Sequence, residues 1–90
     1  MTRQVKIYRS PRQLDMYLYV DSAEDLERVP QALLKRFGVP VEAMSLELSA
    51  ERKLARADSN VVLESITEAG YYLQMPPTMA QLMARDGSGE

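Results

Sequence analysis

Val5 and Ile7 alternate with Lys6 and Tyr8, and Met16, Leu18 and Val20 alternate with Tyr17 and Tyr19. Period-two patterning in two short runs rich in β-branched and aromatic residues predicts two strands. The Ser10–Asp15 connection, with Pro11 in it, joins them as a β-hairpin. Ser22 then stands as an N-cap with acids crowding the following turn, and Leu26, Val29, Leu33, Leu34 and Phe37 recur at helical spacing. Pro30 has no N–H to donate and forbids an unbroken helix through that run. The pattern predicts a short helix near residues 23–28 and a second from Pro30 to Arg36, stopped by Gly38 and Pro40. Met44, Leu46 and Leu48 predict a third strand over about residues 43–48, and Ala50–Ala57 follow as a loop or single turn. Asp58 or Ser59 caps a helix carrying Val61, Val62, Ile66 and Ala69, which stops at Gly70. Tyr71–Gln74 predict a fourth strand ended by Pro76 and Pro77. Thr78 heads a last helix over 78–85, with Met79, Leu82 and Met83 on one side, before a polar tail at 86–90.

The predicted order is β–β–α–α–β–α–β–α. It describes an α/β chain of the α+β type: one small domain over residues 1–85, with helices flanking a four-stranded mixed sheet that begins with the antiparallel hairpin. Counting alternate positions places Val5, Ile7, Met16, Leu18, Val20, Met44, Leu46, Leu48, Tyr71 and Leu73 on one face. Lys6, Tyr8, Tyr17, Tyr19, Ser45, Glu47, Tyr72 and Gln74 fall on the other. The second face gathers four of the five tyrosines, so it is either covered by the last helix or open as an aromatic platform.

Composition narrows the chemistry. The chain has 90 residues, 46% hydrophobic and 27% charged, the balance of a soluble globular domain with a thin core. It contains no cysteine, which excludes disulfides, thiol chemistry and thiolate metal sites. It contains no histidine, which removes the commonest general base and metal ligand. No apolar run is long enough to span a membrane, and the polar start MTRQVK lacks a signal-peptide core, so a cytoplasmic protein is expected. The net charge of −2 is no mark of a generic nucleic-acid binder, yet the charges are segregated. Residues 1–14 carry Arg3, Lys6, Arg9 and Arg12 and no acid. Residues 21–51 carry seven acids against three bases, and Arg52, Lys53 and Arg56 form a second basic cluster.

The runs VKIYRS (5–10), YLYV (17–20), VPxxLLxxFGxP (29–40), RKLAxAD (52–58) and GYYLQMPP (70–77) resemble the YcgL-domain family of small proteobacterial proteins. The resemblance extends from Val5 to Leu82 in order and spacing, and implies a compact single-domain α/β fold. That family is defined by sequence and fold rather than by a reaction, so the resemblance implies no activity. Many members carry a cysteine where Val5 stands here, and members often continue the prolines where this chain has Thr78.

Three readings of function remain. Tyrosines beside Lys6, with Arg9 and Arg12 near, fit the stacking-plus-charge logic of single-stranded RNA platforms. Against this, a 90-residue fold has little apolar area to leave uncovered. The clusters Arg3/Lys6/Arg9/Arg12 and Arg52/Lys53/Arg56 form one phosphate-binding patch if the hairpin and the 50–57 loop meet, or else simply neutralise the acidic segments. The candidate ligand-binding residues are therefore Lys6, Tyr8, Arg9, Ser10, Arg12, Tyr17, Tyr19, Arg52, Lys53, Arg56 and Tyr72. Arg9 and Ser10 stand out because they end a strand, although they equally suit bonding within the loop. A non-enzymatic binding or accessory module with RNA as partner leads. A protein–protein adaptor using the acidic segment or a sheet edge follows, and a metal-assisted phosphodiester hydrolase comes third. Asp58 reads as a helix cap, and no Gly-rich loop, nucleophile motif or ligand set implies a catalytic residue, metal or cofactor. A monomer is the expected state.

Overall fold

The computed structural model describes residues 2–52, 54 and 57–76. Its elements in chain order are β1 (Thr2–Arg9), β2 (Tyr17–Asp21), α1 (Gln31–Phe37), β3 (Val41–Ser49), α2 (Ser59–Ala69) and β4 (Tyr71–Gln74). The strands form one sheet in the order β3-β1-β2-β4. This is an α+β domain, as the pattern predicts, but the sheet is not mixed: all three pairings are antiparallel. Each of β2, β3 and β4 runs opposite to the strand it joins, so none of these neighbours needs a parallel crossover.

The predicted helix at 23–28 is replaced by a series of turns from Ser22 to Arg28. Asp21, not Ser22, supplies the cap: its Oδ1 accepts from the backbone N–H groups of Ala23 (2.8 Å) and Glu24 (3.3 Å). Asp25 then adopts a left-handed φ of 53°, which a continuing right-handed helix cannot accommodate. α1 begins one residue after Pro30 and ends at Gly38, whose φ is 90°. α2 matches its local signals closely, with the Asp58 side chain accepting from Asn60 N–H at 2.8 Å and Gly70 left-handed at its end. The predicted helix over 78–85 lies outside the described residues.

The face assignment needs one correction, and it reorganises the core. Strand β1 meets β2 with Ile7 opposite Tyr19 and Tyr8 opposite Leu18. Directly opposed residues share a face, so Tyr17 and Tyr19 join Val5 and Ile7, whereas Leu18 and Val20 join Tyr8. The expected pairing was out by one residue in this hairpin alone; the β1–β3 and β2–β4 parities are as predicted over most of their length. The consequence is a sheet apolar on both sides. Val5, Ile7, Tyr19 and Leu48 pack with Val62 and Ile66 of α2. Tyr8, Met16, Leu18 and Val20 pack with Val29 and Phe37 on the α1 side. Two thin cores thus form, one on each side of the sheet, and each fully buried Leu, Val or Phe contributes about 1.5–3 kcal/mol.

Candidate functional site

The four tyrosines expected on one face are divided between two. Tyr8 is buried on the α1 side, where its hydroxyl donates to Asp25 Oδ1 at 2.5 Å. Burial first, then the hydrogen bond to the Asp25 carboxylate and the nearby charge of Glu42, push its phenol far above the ordinary tyrosine range. Tyr19 is buried on the α2 side and donates to Gln74 Oε1 at 2.8 Å. Its ring meets Tyr72 edge to face, with centroids 5.7 Å apart, and burial also raises its pKa. Tyr17 and Tyr72 are half-buried beside the same α2 core. An aromatic platform of Tyr8, Tyr17, Tyr19 and Tyr72 therefore does not form.

The basic residues of the hairpin are divided as well. Arg3 Nη1 pairs with Asp21 Oδ2 at 2.8 Å, and its Nη2 donates to Thr67 Oγ1 at 2.9 Å. Burial alone would raise the Asp21 carboxyl, but the Ala23 and Glu24 N–H groups and the Arg3 guanidinium outweigh it and hold the pKa below the usual carboxylate range. Lys6 Nζ lies 3.3 Å from Asp25 Oδ2. Arg28 stands 3.7 Å from Glu24 and donates to the Glu68 carbonyl at 3.0 Å. The acids of the 21–28 segment thus engage the bases of the first half of β1 and tie this segment to sheet and helix.

Beyond Lys6 the situation differs. Ser10 is buried, and its hydroxyl donates to the Phe37 carbonyl at 2.6 Å while accepting from Arg12 and Gln13 N–H, each at 3.1 Å. This joins the hairpin loop to the end of α1, 27 residues further along the chain. Arg12 lies against Gly38, where an added Cβ would stand 3.0 Å from Arg12 Cγ. Arg12, Leu34, Lys35, Gly38, Val39 and Pro40 line one shallow groove there. Arg9, Arg12, Lys35 and Arg36 are exposed, and among the described residues none of the four forms a salt bridge. Exposed Leu14 and Val39 border the same loops.

Arg52 does not join this group. Its N–H bonds to the Ser49 carbonyl, and Ser49 faces Thr2 at the opposite end of β1 from Arg9. Seven residue-to-residue steps separate those ends, roughly 23 Å at the usual rise. Lys53 and Arg56 lie outside the described residues. Lys35, in the last turn of α1, lines the groove with Arg12 and is absent from the candidates that the charge runs suggest. Among the described residues, no three acidic side chains gather into a group that could hold a metal ion. No helix among them is long and apolar enough to cross a membrane.

A four-stranded antiparallel sheet with one helix on each face, and with Arg12 and Lys35 lining one groove where the hairpin loop meets the end of α1, defines a small α+β domain. The YcgL domain model matches residues 5–77, and the chain belongs to this family. It is 60% identical over 77 residues to a YcgL domain-containing protein of Pseudomonas putida (strain W619), and 58% identical to one of Pseudomonas entomophila (strain L48). A YcgL domain-containing protein of Pseudomonas aeruginosa is 53% identical over the same length. Each alignment covers 86% of this chain and 79% of the relative.

Proposed function

We propose that this domain is a non-enzymatic, cytoplasmic binding module that takes the phosphate backbone of RNA on its basic end. The observation that supports this reading is the bond from Ser10 to the Phe37 carbonyl, because it brings Arg12 beside Lys35. Arg3, Lys6 and Arg28 are engaged by acids, whereas Arg9, Arg12, Lys35 and Arg36 stay exposed and unpaired among the described residues. Exposed cations on a firm loop-and-helix frame attract phosphates, and the aliphatic rim of Leu14 and Val39 gives unstacked bases a surface to lie on.

A fluorescein-labelled single-stranded RNA tests the reading by anisotropy at several salt concentrations. Binding should weaken as salt rises, with a log–log slope of about −0.7 for each phosphate engaged. Arg12→Glu with Lys35→Glu should abolish it, whereas Arg52→Glu should leave it largely intact. No binding at low salt, or binding indifferent to salt, overturns the proposal. The exposed apolar pair also favours a second reading, an acidic protein segment docking on the same end. That complex would survive nuclease in a pull-down and be lost with Leu14→Asp.

A further inference from the structure

The two edges of the sheet are unlike. β4, on one side, has four residues, and Pro76 follows two positions beyond its end. β3, on the other, has nine, and from Val41 to Ser49 it contains no proline, glycine, lysine or arginine. Edge strands are ordinarily kept from further pairing by brevity, proline or lysine, whereas the only charges on β3 are Glu42 and Glu47. Among the described residues, no strand pairs with its outer edge. Glu42, Ala43, Met44, Ser45 and Glu47 are exposed, and Met44 is a large apolar side chain at 51% exposure. Met44 and Leu46 also line a groove of about 410 Å³ on the α2 side, so the open edge adjoins an apolar surface.

The register of β3 on β1 limits where a further strand fits. Ile7 lies opposite Met44 but Tyr8 lies opposite Glu42, so Ala43 is a bulged residue and the ladder is regular only from Met44 to Ser49. We propose that two copies of this chain, in place of the expected monomer, pair their β3 strands antiparallel about a two-fold axis at Leu46. Leu46 then faces its own counterpart, Met44 faces Leu48 of the other copy, and Ser45 faces Glu47 of the other copy. All these positions lie within the regular stretch. Moving the axis to Glu47 sets two carboxylates directly opposite each other, and moving it to Ser45 brings the bulged Ala43 opposite Glu47. With the axis at Leu46 no like charges are directly opposed, and Met44 and Leu46 of both copies form one apolar row. A two-fold contact uses the same patch on each copy and closes on itself, so the assembly stops at a dimer with a continuous sheet.

Ser45 is exposed and lies opposite Lys6 within its own chain. Ser45→Lys therefore meets Lys6 in the monomer and Glu47 of the second copy in the dimer, whereas Ser45→Glu is attracted by Lys6 and repelled by that Glu47. Sedimentation equilibrium of the full chain at low salt, from micromolar to millimolar concentration, measures the dimer Kd. The unaltered chain should dimerise reversibly, Ser45→Lys should dimerise more tightly and Ser45→Glu less tightly. The two variants should differ by about tenfold, because each cross-strand contact occurs twice. Adding Glu47→Lys should reverse both effects; with Ser45→Lys it leaves the magnitude of the net charge unchanged, which separates the pairing from overall repulsion. Urea unfolding of the dilute monomer should rank Ser45→Glu above Ser45→Lys, the opposite order, so an effect on folding cannot imitate the result. A monomer throughout the range overturns the proposal. So do a dimer indifferent to these substitutions, tighter association of Ser45→Glu, and assemblies that grow beyond two copies.

Discussion

Leu18 and Tyr19 are adjacent in the chain and both buried, at 0% and 7% exposure, but they face opposite helices. This is the part of the fold most open to direct measurement. Leu18→Ala empties a site in the α1-side cluster and should cost about 2–5 kcal/mol. That is a large share of the roughly 5–15 kcal/mol expected for a domain of this kind. Tyr19→Phe removes only the hydroxyl that donates to Gln74 Oε1, leaving a buried acceptor short of a donor, at about 1–3 kcal/mol. Urea unfolding followed by circular dichroism gives both values, and double-mutant cycles assign the faces. Leu18→Ala should couple to Phe37→Leu, in the same cluster, by about 0.5 kcal/mol or more, and be additive with Ile66→Val within about 0.5 kcal/mol. Tyr19→Phe should instead couple to Gln74→Leu. If Leu18 coupled to Ile66 and not to Phe37, the hairpin would be paired one residue away from the register described, and the two-sided core would be refuted.

Asp21 is stabilised as a carboxylate in the fold, so its contribution should be complete above the unfolded pKa near 4 and decline as pH falls through the lower folded value. Asp21→Asn should cost about 1 kcal/mol at neutral pH and flatten the acid limb of a stability–pH profile measured by thermal unfolding. Tyr8 and Tyr19 shift the other way: their raised pKa values make the stabilisation complete below pH 10 and progressively lost above it. In an ultraviolet titration, Tyr8→Phe should remove absorbance only from the far alkaline end of the curve, because burial and the Asp25 carboxylate hold that phenol protonated well above pH 10. Gly70→Ala should destabilise by more than about 1 kcal/mol in urea titrations. The residue has φ +91°, and a Cβ would stand 2.5 Å from Arg28 Cβ.

Strand existence, both helix stops and the α2 cap were legible because each depends on residues within a turn of one another. Asp58 with Asn60, Gly38 and Gly70 act locally. The turn segment at 22–28 was misread because its acids suit a helix start equally well. What breaks the helix is the left-handed Asp25, whose carboxylate is held by Tyr8 and Lys6 from a strand far back in the chain. Hairpin parity was not legible from alternation, since a seven-residue connection between Arg9 and Tyr17 admits either register. One signal was available. In YLYV the three residues Leu18, Tyr19 and Val20 are all apolar and all buried, as in a strand covered on both faces. Tyr71–Leu73 repeats the unbroken apolar run, half-buried on an edge strand.

The site illustrates the same limit with charges. The basic run from Arg3 to Arg12 is uniform in sequence, yet the fold splits it at Lys6, because the acids returning after β2 reach only the first half of β1. Asp21 lies opposite Val5 in the ladder, so its carboxylate meets Arg3, and Asp25 meets Lys6 one turn further on. Arg9 and Arg12 are carried to the other end of the strand, beyond those acids. There the loop is fastened to α1 by Ser10, a small residue whose hydroxyl serves three bonds at once. A patch drawn from charge runs alone therefore includes two cations already neutralised and leaves out Lys35, which lines the same groove as Arg12 where Ser10 fastens the loop to α1. Which cations of the hairpin meet an acid is set by where the acidic turn stops, and that boundary is a property of strand register rather than of composition.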